Sequence, residues 1–138
     1  MRLCALRLDS VIETMRVLPI QAVEADSAPD CLVGLALIRG QPCPVLDLAR
    51  LLGDQQEPGR LILLRVSGGV ERRVALAVTS VEGVSRIRTS VLSEMPPLLS
   101  AANVDLVEAI GVHDAQLMTI LKAGSLLSET DWAALEAV

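Results

Sequence analysis

Three cysteines (Cys4, Cys31, Cys43), a histidine beside an aspartate (His113, Asp114) and an aspartate opening an apolar run (Asp47) are the side chains that could do chemistry. A nucleophilic site would use Cys43 or Cys31 with His113 and a carboxylate. No strand-turn-helix nucleophile elbow and no Gly-rich oxyanion loop accompanies them. A zinc site would have to combine three scattered cysteines with His113, and no C-x-x-C pair exists. An odd number of widely spaced cysteines suits free thiols in a reducing cytoplasm better than a disulfide framework. Asp47 stands before LARLLG and reads most simply as a helix N-cap, since no second carboxylate or histidine lies at an informative spacing. The chain is therefore expected to have no catalytic residues, no metal and no cofactor.

Composition narrows the remaining classes. The 138 residues suffice for one compact domain or two very small ones, and an apolar fraction of 51% allows a core. Net charge is −5 and Trp132 is the only aromatic residue, which argues against nucleic-acid binding. The longest apolar candidate, LVGLALI at 32–38, is too short to span a membrane. The N-terminus, MRLCALRLDS, is charged and is not a signal peptide, so a cytoplasmic protein without membrane insertion is expected.

Positioning elements follow from hydrophobic patterning. LVGLALI (32–38), PCPVLDL (42–48), RLILLRV (60–66), RVALAV (73–78) and QLMTILK (116–122) are strand-length runs bounded by turn chemistry. Turns are expected at 38–42 through Gly40, at 66–71 through Gly68 and Gly69, and at 113–116. Helices are expected at 47–53, capped by Asp47, and at 128–137, where Ser128 and Asp131 form a capping-box-like start. Loops are expected at 54–59 and 95–103.

The sequence also repeats itself. CALRLDSVIETMRV (4–17) aligns with VALAVTSVEGVSRI (74–87) at an offset of 70, and CPVLDLARLL (43–52) with MTILKAGSLL (118–127) at an offset of 75. Two matches in the same order describe two similar β units, each ending in a short helix. RLILLRV precedes VALAV, whereas only Met1, Arg2 and Leu3 precede CALRL. The opening strand of the first unit is thus missing, leaving backbone groups near residues 3–8 unpaired. The first unit is expected to be an open barrel, or to borrow a strand from its own chain or another.

LDSVIETMRVLPI (8–20), VGLALIRGQPCPVLDLARLLG (33–53), VALAVTSVEGVSRI (74–87) and QLMTILKAGSLL (116–127) together resemble the CheW-like domain of bacterial chemosensory systems. The most specific part is I-R-G-x-x-x-P-V-L-D-L-x-x-L-L-G at 38–53. The resemblance implies a mainly β fold: two SH3-like β-barrel subdomains sharing a hydrophobic core, with few short helices and a first barrel lacking its N-terminal strand. It places residues 1–138 in a single domain, with subdomain one at about 1–55 plus the terminal helix at 128–138, and subdomain two at about 60–127. It implies a non-catalytic adaptor that couples the cytoplasmic tip of a methyl-accepting chemoreceptor to the regulatory domain of a CheA-type histidine kinase. Adaptor and kinase would then alternate through pseudo-equivalent barrel contacts. This chain departs from the family at Leu37, where Asn is frequent, and at Lys122, where Asp is common.

The partner-binding candidates are Val11, Glu13, Gly34, Leu35 and Arg39. Arg39 is either a solubilising charge at a hairpin tip or the partner contact that the motif implies. Val11 reads as an apolar groove contact and Glu13 as its rim, or as simple strand alternation. Gly34 marks either a β-bulge or close approach of a partner helix. Trp132 either packs the terminal helix on a barrel, covers the edge left by the missing strand, or binds a partner. Two alternatives to the adaptor remain: a regulatory or inhibitory domain that binds one partner only, and a scaffold that self-associates through its open sheet edge.

Overall fold

A computed structural model describes residues 3–23, 29–67, 71–88, 92 and 106–136. Among the described residues eight strands form two sheets: β1 (Leu3–Ala5), β2 (Val11–Met15), β3 (Leu32–Ile38), β4 (Gln41–Asp47), β5 (Arg60–Ser67), β6 (Glu71–Val78), β7 (Val107–His113) and β8 (Gln116–Leu121). Two helices, α1 (Leu48–Leu51) and α2 (Glu129–Glu136), are short. The architecture is mainly β, as the apolar runs require. β7 was not among the expected strands, because Glu108, Gly111 and His113 interrupt its apolar pattern. Parts of the turn at 66–71 and of the loop at 95–103 lie outside the described residues.

The chain forms two compact units, one of residues 1–10 and 83–126, the other of 11–82 and 127–138. The family resemblance implies subdomains of about 1–55 with the helix at 128–138, and of about 60–127. β5 and β6 join β2, β4 and β3 in one five-stranded sheet of order β2-β5-β6-β4-β3. A strand is assigned by its hydrogen-bonding neighbours, and β5 lies between β2 and β6. The β3–β4 hairpin joins this sheet through parallel pairing of β4 with β6, Val45 opposite Ala75. Ala36, Ile38, Cys43, Val45, Leu61, Leu63, Ala75 and Ala77 make its core, with Ile12, Met15, Leu18, Ile20 and Val33 packed against them. Leu46, Leu64, Val74 and Leu76, which alternate with core positions, are also buried, so the central strands are covered on both faces. The other unit carries a three-stranded sheet of order β1-β8-β7.

Strand register bears out the repeat residue by residue. In the hairpin β3–β4, Leu32 pairs with Leu46, a bulge follows before Gly34, and Ala36 pairs with Cys43. In β7–β8, Val107 pairs with Leu121, a bulge follows before Ala109, and Gly111 pairs with Met118. Every one of these positions is related by the offset of 75. The parallel pair Val45–Ala75 recurs as Ile120–Ala5, which combines both offsets. Even the connection between hairpin and helix is duplicated: Asp47 N–H donates to Cys31 O at 2.8 Å, and Lys122 N–H to Leu106 O at 2.7 Å.

The copies differ where single residues differ. Asp47 Oδ1 accepts from Ala49 N–H at 3.0 Å and from Arg50 N–H at 3.4 Å, and α1 follows. Lys122 offers no acceptor, and a 3₁₀ turn at Ala123–Ser125 takes the place of the α-helix. Lys122→Asp is expected to cap this turn and raise stability by about 1 kcal/mol, checked by urea unfolding. The two hairpin turns show the same contrast. Arg39 and Gly40 have φ of 52° and 78°, and the equivalent Asp114 and Ala115 have 50° and 61°. Ala115 carries a Cβ where the first copy has glycine, in a conformation that costs an L-residue roughly 1–2 kcal/mol. Ala115→Gly is therefore expected to raise Tm by roughly 2–5 °C in a thermal melt, net of the entropy that glycine adds to the unfolded chain.

Candidate protein-interaction site

Two edge strands of the five-stranded sheet, β2 and β3, lie at opposite ends of the strand order. Two contacts bring those ends together. Gln21, after β2, forms an isolated bridge with Leu35 on β3, each N–H donating to the other carbonyl at 2.8 Å. Glu13 on β2 is paired with Arg39 at the tip of the β3–β4 hairpin, with Arg39 Nε donating to Glu13 Oε1 at 3.2 Å and Nη2 to Oε2. The sheet thus curls into a barrel whose seam is one bridge and one ion pair rather than a continuous ladder.

These contacts gather all five sequence candidates in the same unit. Val11 opens β2 opposite Leu64, and a bulge separates it from Glu13. Gly34 follows the β3 bulge, and Leu35 carries the bridge to Gln21. The close approach that the sequence asks of Gly34 is made by the chain itself: a Cβ there would stand 2.1 Å from Gln21 O. Gln21 was not singled out in the sequence, since a backbone carbonyl leaves no mark on residue type.

The Arg39 guanidinium holds the Glu13 carboxyl below the ordinary carboxylate range, and Glu13 in turn raises Arg39. The pair is therefore charged at neutral pH, and it is lost only as pH falls through the depressed pKa of Glu13. Both side chains are substantially exposed, so the pair adds little to stability. Arg39 nonetheless keeps a left-handed backbone at a turn position that favours Asn or Gly. A positive charge is thus held at the tip at a local backbone cost.

Apolar surface lies beside this tip. Leu37 is 68% exposed and faces Pro42 across the hairpin. In the other unit Val112 and Leu117, 59% and 63% exposed, pair at the corresponding place. The offset of 75, extended to 32–38, would have revealed both β7 and this second apolar pair.

The remaining reactive side chains do not assemble. Burial pushes the Cys43 thiol up to about 11 and raises that of Cys31, which makes both poor nucleophiles. His113 Nε2 lies 3.5 Å from Asp114 Oδ2, in the unit that contains neither of those cysteines. Among the described residues no group of three or more His, Cys, Asp or Glu could hold a metal, and no helix is long and apolar enough to cross a membrane. Trp132 is buried in the five-stranded unit under the Arg72 guanidinium, 5.0 Å from the ring centroid. Arg72 also pairs with Glu129 at 2.8 Å. The helix is held by the capping box expected of it, with Ser128 N–H to Asp131 Oδ2 at 3.0 Å and Asp131 N–H to Ser128 Oγ at 3.1 Å.

The family model of the CheW-like domain matches residues 1–131. The chain belongs to the CheW-like domain family. Among solved structures it is similar to the scaffolding protein TtCheW from Thermoanaerobacter tengcongensis. That match has a TM-score of 0.74 at 24% identity and covers 91% of this chain and 85% of that one. No curated protein matches it. For this CheW-like chain, the seam at Gly34 carries a direct expectation. Gly34→Ala should destabilise the fold by about 2 kcal/mol or more, seen as a lower urea midpoint, because the contact it meets is backbone.

Proposed function

We propose that this CheW-like protein is a non-catalytic adaptor that binds the cytoplasmic tip of a methyl-accepting chemoreceptor and the regulatory domain of a CheA-type histidine kinase. The observation that carries this reading is Arg39. Its charge stands at an exposed tip, in a conformation unfavourable for its residue type, oriented by Glu13 and flanked by exposed Leu37. A charge that contributes little to stability yet is kept in a strained turn fits a role in recognition. Val11, Glu13, Gly34, Leu35 and Arg39 form the partner-binding set, apolar contacts giving affinity and the ion pair giving register.

The duplicated hairpins favour assembly with a kinase domain of the same family. Each presents an exposed apolar cross-strand pair next to its turn, and the turn carries Arg39 in one copy and Asp114 in the other. Opposite charges on equivalent tips suit a head-to-tail contact in which different faces of neighbouring domains meet.

Titration calorimetry with a soluble receptor-tip fragment and the kinase regulatory domain tests the proposal. The wild-type chain is expected to hold both partners in one complex. Arg39→Glu is expected to weaken binding of at least one of them by roughly 10-fold or more at unchanged Tm. Binding to one partner only would favour the inhibitory reading. Unchanged affinity for both would remove Arg39 from the site.

A further inference from the structure

Two prolines on β4 fix which way the backbone of β3 faces. In the β3–β4 hairpin Leu35 stands opposite Pro44 and Leu37 opposite Pro42. Proline has no N–H to give, so these are the positions in the antiparallel ladder where the two strands do not bond each other. The N–H and C=O of Leu35 and Leu37 therefore point away from β4, to the outer edge of the sheet. At Leu35 both groups bond Gln21 there, each at 2.8 Å.

The next position along that edge is Leu37, where the seam stops. Continued antiparallel by two residues, the Gln21–Leu35 bridge would set Pro19 against Leu37. Pro19 cannot donate to the Leu37 carbonyl, and the bridge stays isolated. Among the described residues, which include all of 14–23, no backbone group meets Leu37 on this side. The Leu37 side chain is itself mostly exposed, and Arg39 stands two residues on. Glu13 engages Nε and Nη2 of Arg39, which leaves Nη1 for a further acceptor.

Three prolines thus bound one open donor–acceptor pair beside a guanidinium. One residue of an extended chain offers both matching groups, as the edge of a strand does. A helix keeps these groups within itself except at its ends, and cannot match them. The guanidinium adds a preference for a carboxylate on the incoming segment. Of the two partners proposed above, the kinase regulatory domain is of this chain's own family and hence built of strands.

We propose that Pro19 is a positioning residue, which holds the Leu37 edge open beside Arg39 for an extended, carboxylate-bearing strand of the kinase regulatory domain. The inference rests on the adaptor reading and deepens it. Backbone pairing at Leu37 supplies affinity, and the charge on Arg39 supplies selectivity. Pro19 acts without touching the partner, by what it withholds from the seam.

The test compares the full chain with three variants, using the kinase regulatory domain and a soluble receptor-tip fragment as probes. Leu37→Pro deletes the edge N–H without removing a bond to β4, whereas Leu37→Ala trims the side chain and keeps the N–H. Leu37→Pro is expected to bind the kinase domain roughly 10-fold more weakly than Leu37→Ala, with receptor-tip binding the same for both. In the free chain the Leu37 amide is expected to exchange faster than those of Ala36 and Ile38, which face β4. It should slow by about 10-fold or more in the kinase complex. Pro19→Ala supplies the missing donor, and should slow the Leu37 amide in the free chain and weaken kinase binding. Equal kinase binding by Leu37→Pro and Leu37→Ala overturns the proposal. So does a Leu37 amide left unprotected in the wild-type complex, a result that needs no substitution. Pro19→Ala with unchanged exchange and binding overturns it as well, as do equal losses toward both probes, which mark damage to the whole hairpin. A wild-type chain that binds the receptor tip but not the kinase domain overturns the adaptor reading together with this occupant. Leu37 exchange in the free chain and in Pro19→Ala then still reports on the seam.

Discussion

The parallel pairing of β4 with β6 is the contact on which the five-stranded unit depends. Every other pairing in that sheet is antiparallel, and β3–β4 is a local hairpin. Without Val45 beside Ala75 the hairpin would carry its apolar residues, its α1 helix and Arg39 away from the rest of the sheet. With that pairing in place, the far edge of β3 comes round to Gln21 and the tip of the hairpin reaches Glu13. The candidate site is therefore a product of the way the sheet curls. Its residues come from two strands that are last and first in the sheet order, and no local segment could assemble them.

The same parallel join, in the same register, builds the smaller unit from β8 and β1. What differs is what surrounds it. Ala77 lies in an apolar core, and its counterpart Arg7 is an exposed cation paired with Glu108. The second hairpin presents an apolar pair at its turn, with Val107, Met118 and Leu121 buried along its strands. The same register thus serves a five-stranded sheet in one copy and, among the described residues, a three-stranded sheet in the other.

Much of this was legible in the sequence, because the signals were local. The five apolar runs became β3, β4, β5, β6 and β8, and Asp47 and the Ser128–Asp131 pair cap the helices expected of them. The repeat was legible too, but strand partnership was not: a run of leucines does not say which neighbour it will pair with, and β5 lies between β2 and β6. The five candidate residues all fall in the five-stranded unit, but the cause at Gly34 was hidden: the backbone of Gln21, thirteen residues earlier, is what excludes a side chain there.

The two parallel joins share their register but not their extent. β6 is backed by β5 along eight residue pairs, where β1 meets β8 along three. Leu61, Leu63 and Leu64 of β5 are buried, so β4 joins a strand already seated on an apolar neighbour. The amides of β6 are accordingly the better shielded from local opening, since resistance to opening follows buried apolar contact.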